Sequence, residues 1–406
     1  MDLDIQVPAT YPAGFKLVVV GESPGRDEVD AKEGWVGQAG RCLQKAVGLA
    51  GLEWEQIGRS NVAKRRPHAS SNDFRSAFYE TIEEPIYTPT GKLSKRTSKT
   101  TLWTAEMQEW VDLLASELRT HNPNLVVAAG NEALSAITGL SGITNYRGSI
   151  LNSRGDFLRP NDTPFKVLAV EHPSYILRQP TNFWILAHDL KKAKREAEFP
   201  EIRREPWTAV SDPQHDLELV LGFIRYIGLH PETKYTLDVE TRAGTLACFG
   251  CAYRNEREEL FAFCVPIQTT QGGYWTPEEE CQIWEELNIA SKANPNLCNQ
   301  NLEYDLYYLL RYGIEPAGVY MDTMLAHSIL HPELPKGLDF LCSWYLDDVE
   351  YYKGEGRNWS AGDRDTDLWA YNCKDDAFTL RVVEEIDKEL IRRGMYERYH
   401  GFREVR

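Results

Sequence analysis

Residues 234–241 read KYTLDVET, an apolar, β-branched run that ends in two carboxylates, Asp238 and Glu240. In a strand, side chains at i and i+2 point to the same face, so the two acids project together. Like charges held side by side at a strand end repel each other unless a cation lies between them. An oxygen-only pair suits a hard divalent ion, Mg2+ or Mn2+. The stretch therefore constrains the fold around it, because a sheet must bring this strand end to a place where further ligands converge. The plain alternative is a strand with two solvated acids, and the pair alone does not separate the two readings.

Two later stretches supply more acids. NQNLEYD (299–305) ends in Asp305, and YNCKDDAFTL (371–380) sets Tyr371 and Asp375 four apart, on one face of a helix. Carboxylates from a strand and two helices, in this order, resemble the three motifs of the DEDD family of 3′–5′ exonucleases. The Tyr-x-x-x-Asp form of the third motif resembles the proofreading subtype of family A DNA polymerases. The resemblance covers residues 213–396 and runs through MDTMLAHSIL (321–330) and GLDFLCSWYL (337–346). It implies a ribonuclease H-like α/β exonuclease domain acting on single-stranded DNA or DNA 3′ ends. Asp238, Glu240, Asp305 and Asp375 would hold two divalent ions, and Tyr371 would orient the attacking water. Asn301 and Tyr304 would shape the cleft around the terminal nucleotide. The spacing selects Asp375 over Asp376, which is left solvated or behind the ligands.

Two alternatives stay open at this point. An RNA-trimming nuclease of the RNase D type shares the three motifs, although residues 321–346 speak for the DNA enzyme. A non-catalytic DNA-binding module with vestigial sites is the other, against which stands the complete set of acids. Beyond residue 394 only MYERYHGFREVR follows, without polymerase motifs. The chain is then either a stand-alone protein or the front part of a family A polymerase with its polymerase domain C-terminal to this chain.

The first half repeats strand, glycine turn and helix. FKLVVVG (15–21) runs into GESPG, and NPNLVVAAGNEAL (122–134) follows the same plan. PFKVLAVEHPSYIL (164–177) is a further strand ending in His-Pro-Ser. Such units predict a parallel α/β domain with its site at the strand C-termini. GESPGRDE (21–28), GWVGQAG (34–40), NVAKRRP (61–67) and HPS (172–174) together resemble the family 4 uracil-DNA glycosylases and their phage relatives, over residues 15–198. The resemblance implies a uracil-binding site of Glu22, Trp35, Asn61 and His172. Trp35 would stack the base, Asn61 would read its polar edge, and His172 would face the oxygen that gains charge as the glycosidic bond breaks. Lys64, Arg65 and Arg66 would contact the phosphates of uracil-containing DNA. Family 4 enzymes carry cysteines for an iron–sulfur cluster. Here the first pair is missing and the loop reads Lys64-Arg65-Arg66-Pro67, so no iron–sulfur cluster is expected. Ser23 stands where related glycosylases activate water, and a serine hydroxyl is no base at neutral pH. Uracil excision and uracil recognition without excision both remain open.

The net charge of −16 looks wrong for a nucleic-acid partner until it is divided. Residues 1–200 carry 24 basic and 24 acidic side chains, and residues 201–406 carry 21 and 37. The excess acid thus belongs to the half with the carboxylate motifs, where bound cations offset part of it. Of the eight cysteines only Cys248 and Cys251 form a CxxC, inside a strand-like run, which reads as buried free thiols in a reduced, cytoplasmic protein. No apolar run reaches the roughly 20 residues of a membrane span, so no membrane partner is expected. The polar segment 81–101, with four basic residues between Lys92 and Lys99, is expected as a mobile surface insertion. Residues 199–212 read as the linker between domains 1–198 and 213–406.

Overall fold

The computed structural model describes residues 5–67, 74–87, 93–357 and 364–403; for 84–87, 93–99, 356–357 and 402–403 it describes the backbone alone. The chain divides into two compact units, Met1–Arg203 and Arg204–Arg406.

In the first unit the LVVVG run is the fully buried strand Leu17–Gly21. It lies second in a five-stranded sheet ordered Gly58–Asn61, Leu17–Gly21, Leu125–Ala129, Lys166–Val170, Ile150–Asn152. The first four strands are parallel and the last is antiparallel. Unbroken apolar runs suit such a sheet because both of its faces are covered. Val18, Val20, Val126 and Ala128 pack on one face, against Met107, Leu114 and Leu134. Leu17, Val19, Leu125 and Val127 pack on the other, against Leu43, Val47, Leu186 and Leu190 of the helices Gln38–Leu49 and Phe183–Glu196. The parallel order brings Gly21, Asn61 and the turn after Val170 to the same edge of the sheet.

The structure adds detail to one expectation and changes another. Within the segment expected as a surface insertion, the strands Tyr79–Tyr87 and Leu93–Trp103 pair antiparallel, with Thr81 facing Thr101 and Glu83 facing Lys99. A two-stranded ribbon need not bury either face, which suits the segment's low apolar content. The Lys92 side chain and those up to Lys99 lie outside the described residues, as do residues 68–73 of the basic loop. The segment 199–212, read as a linker, contributes the strand Trp207–Val210, which pairs in parallel with Leu260–Phe263.

The second unit is built on a seven-stranded sheet ordered Val319–Asp322, Leu297–Asn299, Tyr235–Thr236, Thr245–Arg254, Leu260–Pro266, Trp207–Val210. Its remaining strand, Asp238–Arg242, pairs with Thr245–Arg254. The run 234–239 thus breaks at Leu237, and the register slips again between Glu240 and Thr241. The helix Pro277–Ala293 starts at Thr276 in a capping box with Glu279, as its sequence predicts. The 28-residue helix Asp365–Arg392 buries Leu368, Trp369, Cys373 and Ala377 against strand residues Ala247, Cys248, Ala262 and Cys264. All eight cysteines are free thiols, and Cys248 and Cys251 are buried. No helix among the described residues is long and apolar enough to cross a membrane.

Candidate functional site

Asp238 and Glu240 leave one short strand, and Asp375 leaves the long helix four residues after Tyr371. One oxygen from each of Asp238, Glu240 and Asp375 lies within 4.8 Å of the others. Burial, and then the charge of Asp375, pushes the Asp238 carboxyl up to about 7. Burial also raises Glu240, with Asp238 and Asp375 adding to the effect. Oδ1 of Asp375 is buried with no hydrogen-bond partner among the described residues. Three converging carboxylates, one with an unpartnered buried oxygen, form a site whose negative charge the nearby Lys353 ammonium offsets only in part. The oxygen-only donor set fits a hard divalent cation.

Asp305 stands beside this trio and outside it. Its Oδ1 accepts from the Val239 amide at 2.9 Å and its Oδ2 from the Asn299 side chain at 2.8 Å. Its pKa is raised first by burial and then by Asp238. Asn301 has φ near 60° and heads the helix Leu302–Arg311; its amide, like that of Leu302, donates to the Asp322 carboxylate. Tyr304 is half exposed, with its hydroxyl 2.9 Å from Thr241 Oγ1, one residue beyond Glu240.

Asn372 and Lys353 were missed in the sequence, and Asp376 takes the second of the two places left open for it, behind the ligands. Asn372, fully buried, donates to Asp238 Oδ2 at 3.0 Å and so fixes that carboxylate. Asp376 is buried rather than solvated, with Asp238 and Thr236 nearby, and burial raises its pKa. Both depend on Gly250 opposite: a Cβ there would come within 2.3 Å of Asn372 Oδ1 and 2.1 Å of Asp376 Oδ2. Lys353 forms an ion pair with Asp375 Oδ2 and donates to the Tyr371 hydroxyl at 2.8 Å. Adjacency to Tyr371 could have pointed to Asn372. Nothing local points to Lys353.

In the first unit a cavity of about 300 Å³ is lined by Glu22, Ser23, Trp35, Asn61, Arg66 and His172, among others. Asn61 ends its strand opposite Gly21, and its side-chain amide makes no hydrogen bond to another described residue. A Cβ on Gly21 would strike both Asn61 Oδ1, at 2.5 Å, and the Trp35 ring, at 2.6 Å. Trp35 has φ near 65°, donates its indole N–H to the Ser60 carbonyl at 3.2 Å, and lies 5.8 Å from the His172 ring. His172 caps the helix Pro173–Arg178: its Nδ1 accepts from the Ser174 amide at 3.2 Å. Burial, then Arg178, pushes its pKa down to about 4. A neutral ring that accepts at Nδ1 carries its proton on Nε2, which leaves that nitrogen a donor.

Glu28, quoted only as part of a motif, holds the cavity wall in place. Its buried carboxylate accepts from the Gly25 amide, with the Trp35 and Gly37 amides also stabilising its charge against burial. Lys64 and Arg65 correct an expectation, since neither is placed to meet phosphate. Lys64 is 3% exposed and donates to Ser60 Oγ and Glu117 Oε2, both at 2.9 Å. Arg65 makes a two-pronged pair with Glu106 at 2.7 and 2.6 Å and lies over the Phe78 ring. Charges this far from water need partners, and those partners occupy their donors. Of the three basic residues, Arg66 lines the cavity.

Residues 8–202 match the uracil DNA glycosylase superfamily, and residues 252–391 match a 3′-5′ exonuclease family. The second match starts beyond Asp238 and Glu240. A type-4 uracil-DNA glycosylase of Thermotoga maritima is 28% identical over 183 residues, 44% of this chain and 76% of the relative. DNA polymerase I of Borreliella burgdorferi is 24% identical over 178 residues, 43% of this chain and 18% of the polymerase. A DNA polymerase of Bacillus phage SP01 is 22% identical over 189 residues, 46% of this chain and 16% of that protein. The chain thus spans less than a fifth of either polymerase.

Proposed function

We propose that this chain, which joins a domain of the uracil DNA glycosylase superfamily to a 3′–5′ exonuclease domain, shortens DNA from its 3′ ends in a metal-dependent reaction and receives uracil in its first domain. The observation that carries the nuclease reading is the convergence of Asp238, Glu240 and Asp375 within 4.8 Å. These three would hold divalent ions, with Asp305 beside them. Bound there, Mg2+ or Mn2+ would neutralise phosphate charge and acidify water. The chain's own groups do the positioning: Asn372 holds Asp238, and the Val239 amide and Asn299 hold Asp305; Tyr371 would present its hydroxyl to the water. The proofreading subtype is supported by Tyr371 four residues before Asp375 and by the likeness to two polymerases.

The test is a 5′-labelled single strand of DNA. In Mg2+ it is shortened to a ladder, EDTA abolishes the ladder, and an RNA strand of the same sequence competes poorly. Trimming of RNA with DNA left intact would instead mark an RNase D type enzyme. If both strands survive, the enzyme reading fails.

For the first domain, the neutral His172 donor, the Asn61 amide and the Trp35 ring support a pocket for a flat, uncharged base with polar edges. An exonuclease-inactive Asp238→Ala protein separates the two outcomes. Release of uracil that is lost on His172→Ala marks an active glycosylase. Preference for uracil-containing over thymine-containing strands without release marks a sensor, and no preference at all removes uracil from the function.

A further inference from the structure

Lys353 opens the short helix Lys353–Arg357, and its side chain is only 16% exposed. Its ammonium forms an ion pair with Asp375 Oδ2 and donates to Tyr371 Oη at 2.8 Å, 5.1 Å from the centre of that ring. An ammonium has donors only, so the Tyr371 oxygen is the acceptor in this contact. The tyrosine's own proton therefore points away from Lys353 and is free to be donated elsewhere. Asp375 divides its oxygens in the same way: Oδ2 goes to Lys353, and Oδ1 has no hydrogen-bond partner among the described residues.

We propose that Lys353 is a positioning residue of the exonuclease site, which makes Tyr371 a hydrogen-bond donor towards the reacting water or phosphate and shares Asp375 with the cation held by the acids. The proposal rests on the nuclease reading above. It has two consequences that pull in opposite directions. Without Lys353 the Tyr371 hydroxyl loses its fixed direction, and the reaction slows. Without Lys353 the acids also lose a competing positive charge, and a divalent ion binds more tightly. A lysine that served only to stabilise the fold would produce neither of these together.

The experiment uses the full chain and three variants, Lys353→Met, Lys353→Arg and Tyr371→Phe, with Lys353→Met also placed in the Tyr371→Phe background. Thermal melts check folding. Mn2+ affinity is measured by calorimetric titration without DNA, and single-turnover cleavage of a DNA strand at saturating Mg2+ gives the rate. Lys353→Met should bind Mn2+ several-fold more tightly and cleave roughly ten- to a hundredfold more slowly, the usual scale for groups that orient a metal site. Lys353→Arg should recover part of the rate. In the Tyr371→Phe background Lys353→Met should cost almost nothing further, because both changes remove one unit. An equal loss in both backgrounds, an unchanged rate, or weaker Mn2+ binding would overturn the proposal. If the unaltered chain cleaves no nucleic acid, the nuclease reading falls, while the Mn2+ titration still decides whether Lys353 competes for Asp375.

Discussion

In the first unit Lys64 and Arg65 are turned inward onto Glu117 and Glu106, and burial keeps His172 neutral. In the second, Asp238, Glu240 and Asp375 face one another, with the Lys353 ammonium on Asp375. Both arrangements sit at the ends of strands in a buried sheet, yet they solve opposite problems. Around the cavity near Trp35, Lys64 and Arg65 are paired off internally, and the cavity offers a ligand shape, an aromatic face, hydrogen bonds and the Arg66 side chain. The acid site has one ammonium, Lys353, against the three carboxylates that converge there, so most of its charge is left for cations from outside. Composition hinted at this, since the excess acid lies in residues 201–406.

The sharpest way to break the contrast is Asp238→Ala, expected to reduce 3′–5′ degradation to background. Because burial and the Asp375 charge disfavour the Asp238 carboxylate, the metal-free variant should melt no lower than the parent protein. A near-parental rate in Mg2+ would remove Asp238 from the site.

Gly250→Ala comes next. The added carbon would sit 2.3 Å from Asn372 Oδ1 and 2.1 Å from Asp376 Oδ2. Overpacking of this kind costs about 1–3 kcal/mol, and it should also slow cleavage by displacing the group that holds Asp238. Chemical denaturation together with a rate measurement checks both; a variant as stable and as fast as the parent would show that the crowding is relieved elsewhere.

In the first unit, base stacking on an aromatic is worth about 1–3 kcal/mol. Trp35→Ala should therefore weaken binding to a uracil-containing strand by roughly ten- to a hundredfold, read by fluorescence anisotropy. Asn61→Ala should spare overall affinity and erase the preference for uracil over thymine.

A smaller effect concerns pH. The His172 pKa is lowered from 6.5 to about 4 in the folded chain. The unfolded chain therefore takes up a proton first as pH falls, and the stability that neutral His172 contributes is present above about 6.5 and lost towards 4. The melting temperature of His172→Ala should accordingly depend less on pH across that window, and uracil binding by the parent should stay flat between about pH 6 and 8. A binding inflection near the ordinary histidine value of about 6.5 would mean that the ring titrates freely.

The smallest expected change is in salt dependence. Each phosphate contact contributes close to one unit to the salt slope on duplex DNA and about 0.7 on a single strand. Lys64→Met should leave the slope of strand binding unchanged, because Lys64 is committed to Glu117 and Ser60. A lower slope in the variant would return Lys64 to the DNA surface.

What the sequence determined by itself is local or periodic. The buried strand Leu17–Gly21, the capped helix Pro277–Ala293 and the four-residue spacing of Tyr371 and Asp375 follow from apolar runs, a capping box and helical geometry, all legible within a few residues. The motif resemblance pointed to Asp238, Glu240, Asp305 and Asp375, of which Asp238, Glu240 and Asp375 converge within 4.8 Å, and to Glu22, Trp35, Asn61 and His172, which line one cavity. Tertiary structure decided whatever depends on a partner far away in sequence. Trp207–Val210 became a strand because Leu260–Phe263 offered it backbone hydrogen bonds, and its own half-exposed side chains carry little pattern. Lys64 and Arg65 turned inward because Glu117 and Glu106 waited on a helix some forty to fifty residues later. Lys353 met Tyr371, 18 positions further on, with nothing in the local sequence to announce the meeting. A side chain's type limits what it can bond to, but its direction is set by which charge or hydroxyl the completed fold places within reach.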